Sequence, residues 1–200
     1  GETAPTMALY DGYNGGYPFQ GCTGLVLSVP AASLEAYKTA WADMLSADAA
    51  KAGDITLADG SGSVAYIPDF KVADKNNSSR YLEFRVVSFD NAAKTGTVEL
   101  KYVGWNSSTA TLEIPETVTA KVLGEDYTFT VVGIGKEAIN EYQISQYSSS
   151  KYNFTQVTFP KTLTYIRDWG CNGLQAVTEI DLSGTQVNEI GQEAFRGCKK

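Results

Sequence analysis

The chain has 200 residues, of which 43% are hydrophobic and 20% charged, with a net charge of −7. That length allows one or two folded domains, and the acidic balance removes the counterion release that drives nucleic-acid binding. No stretch approaches the roughly 20 apolar residues of a membrane span, and the absence of histidine excludes nucleophile–His–acid catalysis.

The chain opens on Gly1 rather than Met, which suggests a processed or recombinant start. A composition rich in Tyr, Gly, Thr and Ser fits an extracytoplasmic protein, at the cell surface or secreted, with any lipid anchor belonging to the precursor. Residues 1–17 read as a Gly-rich loop carrying Tyr10, Tyr13 and Tyr17. Leu25, Leu27 and Val29 then alternate as in a strand, and Pro30 ends it. A helix is expected next. Ser33 is its N-cap, Glu35 lies in its first turn, and Leu34, Tyr37, Trp41 and Met44 or Leu45 form one apolar stripe before Gly53. Tyr37 and Trp41 are expected to cover the open end of a repeat stack rather than to form a ligand platform.

Residues 53–110 read as a β region. Ser63 to Ile67 is a short strand closed by Pro68, and Asp74 to Ser79 is a polar loop. Leu82, Phe84 and Val86 alternate with Glu83 and Arg85, and Val98, Leu100 and Tyr102 with Glu99 and Lys101. With a turn at 90–96 these make a hairpin with one wet face. A second hairpin runs from Val118 to Leu123 and from Tyr127 to Val132.

From Leu112 onward the chain repeats itself. Leu112-Glu113-Ile114-Pro115 returns as Val157-Thr158-Phe159-Pro160, and Ile134-Gly135-Lys136-Glu137-Ala138 returns as Ile190-Gly191-Gln192-Glu193-Ala194. Phe159 to Leu182 is 23 positions and Ile166 to Ile190 is 24, within the roughly 20–29 of leucine-rich repeats. Each unit carries an apolar strand (Val157 and Phe159; Ile180 and Leu182), a second anchor (Ile166; Ile190), then an aromatic and a cysteine (Trp169 and Cys171; Phe195 and Cys198). Such repeats bury their apolar faces against one another as a solenoid. Glu137 and Glu193 fall at equivalent steps, which marks them as structural rather than catalytic.

The phrase Ala194-Phe195-Arg196-Gly197-Cys198, together with Ile-Gly-x-Glu-Ala and Val-x-Phe-Pro, resembles the BspA-type leucine-rich repeats of bacterial surface proteins. Ile134, Ile166 and Ile190 occupy that family's isoleucine position. The Ile134 unit departs from the pattern, with Ile139 for Phe, and Trp169-Gly170-Cys171 is a shortened form. Pro18-Phe19-Gln20-Gly21-Cys22 also copies the phrase, and residues 29–41 resemble the family's closing element. The implied fold is a repeat solenoid, mainly β with minor α. β-Hairpins and one N-terminal amphipathic α-helix precede its repeats. The expected parts are a partial repeat with capping helix at 1–52, a β-hairpin region at 53–110 and the repeats at 111–200. Two readings of this order stand: a segment of a longer array, or an N-terminal piece that covers an exposed coil of its own or a neighbouring molecule. The second makes self-association through uncapped repeat ends a possible partnership.

Candidate binding residues are aromatics in polar loops, whose faces suit sugar rings. They are Tyr142, Tyr147 and Tyr152 in the longest insertion, Trp105 beside Asn106, and Tyr13 and Tyr17. The plainer reading packs these rings on their own loops. Cys22, Cys171 and Cys198 are expected to pack between coils rather than to form a framework. No CxxC pair and no His are present, so no metal or other cofactor is expected. The resemblance implies a non-catalytic surface adhesion module binding protein or glycan. A carbohydrate hydrolase with a carboxylate pair and a passive spacer are the alternatives.

Overall fold

The computed structural model describes residues 4, 19, 22, 25–42, 55–59, 64–104, 110–122, 124–140 and 154–198. The fold is mostly β with one short helix. The chain divides into two compact units. One comprises 1–70 with 90–94 and 121–127, and the other 71–89, 95–120 and 128–200.

In the first unit, β1 (Leu25–Ser28) pairs parallel with β2 (Ile55–Ala58), Leu27 opposite Leu57. β3 (Val64–Tyr66) joins β2 antiparallel across a bulge. Ile55 and Leu57 alternate with Thr56 in β2, a run too short to stand out from its surroundings. Between β1 and β2 lies α1 (Leu34–Ala40), entered through a 3₁₀ turn at Ala31–Ser33. Ser33 sits at the N-cap without a side-chain capping bond and is buried. Tyr37 and Trp41 meet edge-to-face at 4.7 Å and pack with Val29 and Leu57. The helix stripe therefore buries against its own sheet, in a βαβ arrangement. The hairpin tips add a second anchor to this unit: buried Tyr127 donates to Asn91 Oδ1 (2.9 Å), and Asn91 Nδ2 to the Val64 carbonyl (2.6 Å).

In the second unit, β4 (Phe70–Asp74) and β5 (Asn77–Asp90) are separated only by Lys75 and Asn76. The polar loop read at 74–79 is thus a tight turn. Asp74 Oδ1 accepts from the Asn76 amide at 2.7 Å, and its carboxylate pairs with the fully buried Arg80 guanidinium. Arg80 also donates to the Thr111 carbonyl at 2.8 Å and lies over the Phe154 ring. Those partners compensate a charge that would otherwise be costly to bury.

β6 (Thr95–Val103), β7 (Thr111–Glu113), β8 (Thr117–Val122) and β9 (Glu125–Ile134) follow, then β10 (Gln156–Thr158), β11 (Tyr165–Ile166) and β12 (Glu189–Ile190). The larger sheet runs β12-β11-β9-β6-β5-β4, with β8 also on β9. The return strand of the second hairpin runs on without a break into Ile134, so one strand serves both the hairpin and the first repeat anchor. β6, β9, β11 and β12 are parallel, and their register aligns Leu100, Ile134, Ile166 and Ile190 in one row.

The same backbone bond recurs along that row: Gly135 N–H to Leu100 O (2.8 Å), Arg167 N–H to Ile134 O (2.8 Å) and Gly191 N–H to Ile166 O (2.7 Å). Three residues past each isoleucine the backbone turns left-handed, at Glu137 (φ 57°), Trp169 (φ 60°) and Glu193 (φ 54°). Side chains other than glycine rarely adopt this conformation, so its recurrence at one step marks a common turn. Leu100, Ile134 and Ile166 are fully buried, whereas Ile190 on β12 is 54% exposed. β7 and β10 form a separate parallel pair, Leu112 opposite Val157. Cys171 is buried, and Cys198 Sγ lies 3.6 Å from its carbonyl; Cys22, Cys171 and Cys198 form no disulfide.

Candidate functional site

Tyr142, Tyr147, Tyr152, Trp105, Tyr13 and Tyr17 lie outside the described residues. Two other surfaces of the second unit concentrate polar side chains.

The first is the polar face of the larger sheet. Glu83 binds Lys101 at 2.7 Å with Lys71 at 3.9 Å, and Glu99 binds Arg85 at 3.3 Å. Tyr165 donates to the other Glu99 oxygen at 3.0 Å, and its ring carries the Arg167 guanidinium at 4.3 Å. Arg167 in turn binds Glu189 at 3.1 Å. The expected wet face is therefore a cross-strand ladder of charges, in which Glu83 and Glu99 are buried beneath their partners. Burial first, then the Glu99 carboxylate, pushes the Tyr165 phenol up to about 12. The ring lies so close to Gly133 that a Cβ there would sit 2.1 Å from it. These groups satisfy one another and leave little for a ligand.

The second is a groove of about 580 Å³ beside β10, lined by 155–159, Lys161, 178, 179, 181, 184 and 185. Its volume falls in the range of ligand sites, roughly 300–1,000 Å³. It lies where two successive stretches of the chain, 154–176 and 177–198, separate. Elsewhere they are laddered: Gln186 N–H to Leu163 O (2.9 Å), Asn188 N–H to Thr164 O (2.9 Å), and Trp169, Cys171 and Gly173 N–H to the carbonyls of Gln192, Ala194 and Arg196. Among the described residues no backbone bond joins 155–159 to 177–182.

A strand was expected at Ile180 and Leu182; instead the segment forms local bonds. Asp181 accepts from the Ser183 hydroxyl (2.6 Å) and amide (2.8 Å), and Thr185 returns both its amide and its hydroxyl to the Leu182 carbonyl. Side-chain bonds of this kind compete with a sheet ladder.

Val157 and Phe159 lie buried beneath the groove. Around its rim Gln156, Thr158, Lys161, Thr178 and Glu179 are exposed, and their side chains bond to no described residue. Asp181 is tied to Ser183, whose hydroxyl and then amide hold its carboxyl below the usual range. A general acid needs the opposite shift. The sequence marked the neighbouring insertion as a ligand face but not the groove. Its exposed rim is Thr, Gln, Lys and Glu, which no compositional rule singles out.

Among the described residues no helix is long and apolar enough to cross a membrane, and no group of three or more His, Cys, Asp or Glu could hold a metal ion. No family model matches the chain, and no curated protein matches it. Among solved structures, the crystal structure of the pneumococcal vaccine antigen PcpA is similar at 21% identity, with a TM-score of 0.46. The similarity covers 64% of this chain and 30% of that one, so the chain spans less than a third of that protein's length.

Proposed function

We propose that this chain is a non-catalytic interaction module of a bacterial cell surface, built on BspA-type leucine-rich repeats and binding a protein or glycan partner. The observation that supports it best is the stack of coils itself. Leu100, Ile134, Ile166 and Ile190 share one register, the left-handed turn recurs three residues past each isoleucine, and a groove lies beside β10. A stacked scaffold of this type holds its flanking loops and grooves in fixed relation, which suits recognition of extended partners. The BspA-type phrase of residues 194–198 supplies the bacterial surface setting. Ile190, exposed on β12, is the apolar surface through which uncapped coils would self-associate.

A panel of immobilised extracellular-matrix proteins and glycans tests this reading. The module is expected to bind at least one member without converting it, and replacing Tyr142, Tyr147 and Tyr152 with Ala is expected to weaken that binding. A passive spacer would bind none. Turnover of a glycan that disappears in Glu179→Gln would instead identify a hydrolase.

A further inference from the structure

The groove beside β10 has a chemistry that identifies its occupant more narrowly. Gln156 N–H bonds to the Ala110 carbonyl, and Ile114 N–H to the Thr158 carbonyl, so Gln156 and Thr158 direct their main-chain groups toward β7. Strand alternation then turns the amide and carbonyl of Val157 to the opposite edge, into the groove. Among the described residues nothing bonds to them there. An open strand edge of this kind is a template for another extended chain.

The side chains agree. Among the described residues the lining contains one aromatic, Phe159, which is only 7% exposed, so these residues offer a sugar ring no face on which to stack. Lys161 and Glu179, exposed and unpaired among the described residues, place one charge of each sign along the groove.

We propose that the groove binds an extended peptide of a partner protein, which adds as a strand to the open edge of β10. A carboxylate of the peptide meets Lys161 and a basic side chain meets Glu179. This rests on the interaction-module reading above and narrows its partner to a polypeptide.

The test is amide hydrogen exchange on the whole chain, with and without the capped peptide acetyl-Thr-Lys-Val-Thr-Val-Glu-Thr-amide at millimolar concentration. The peptide is expected to slow exchange of the Val157 amide by about tenfold or more. The same peptide N-methylated at its central amides is expected to have no effect. Lys161→Glu combined with Glu179→Lys is expected to weaken binding severalfold; both sites are exposed, so the fold is retained. Unchanged Val157 exchange with the parent peptide, or equal binding by the N-methylated one, would overturn the proposal. The Arg167 and Gly191 amides report separately on the coil stack. If they are protected while the peptide has no effect, the docking proposal alone fails. If they exchange freely, the stack itself is at fault.

Discussion

Ile166 and Ile190 have the same chemistry and the same place in their repeats, yet one is fully buried and the other 54% exposed. Removing the Ile166 side chain leaves a cavity, so Ile166→Ala is expected to cost about 2–5 kcal/mol. Ile190→Ala is expected to cost less than about 1 kcal/mol, since most of that side chain already meets water. Urea unfolding of the two variants checks the ranking; equal losses would contradict the assigned burial. Tyr165 supplies a pH signature. Its phenol is raised to about 12 in the native state, against about 10 unfolded. The folded form thus favours the neutral phenol, and the contribution is complete below pH 10 and lost as pH climbs towards 12. Between pH 9 and 11 the urea midpoint of the parent protein is expected to fall further than that of Tyr165→Phe. Parallel falls would rule this out.

At the scale of elements, a left-handed turn is the joint that follows Ile134, Ile166 and Ile190 alike. A residue other than glycine in that conformation costs roughly 1–2 kcal/mol, partly offset by the greater entropy glycine loses on folding. Glu137→Gly is therefore expected to be neutral or stabilising by up to about 1 kcal/mol, and Glu137→Val destabilising by about 1–2 kcal/mol. Thermal unfolding distinguishes the pair, and a stabilising valine would refute the shared turn. This joint also shows what was legible beforehand. Equivalence of Glu137 and Glu193 was readable because both follow Ile-Gly-x; their left-handed backbone was not, since neither residue type signals it. The isoleucine row was legible because burial imposes a period on the sequence. Ile180 and Leu182 suggest a strand, but the bonds of Ser183 to Asp181 and of Thr185 to Leu182 give the backbone there another partner. Arg80 was hidden for a related reason: a buried guanidinium depends on Asp74, Thr111 and Phe154, which lie apart in the chain.

At the scale of the molecule, the proposed binding follows from where the backbone ladder between successive stretches is complete and where it is not. Pairing from 163 to 173 against 186 to 196 ties two stretches together, and among the described residues its absence beside β10 leaves a groove with main-chain groups to offer. Loop composition had pointed instead to Tyr142, Tyr147 and Tyr152, because aromatic content is visible in a sequence and a missing strand partner is not. The parallel strands lie side by side in the order of Leu100, Ile134, Ile166 and Ile190, and the proposed binding rests on that order. Neighbouring strands are about 4.8 Å apart, and strands two places apart about twice that. Nuclear Overhauser spectroscopy of the isoleucine-methyl-labelled protein measures this directly. It should show cross-peaks between Ile134 and Ile166 and between Ile166 and Ile190, with none between Ile134 and Ile190. Absence of the first two, or a direct Ile134–Ile190 cross-peak of equal strength, would contradict the stacked arrangement.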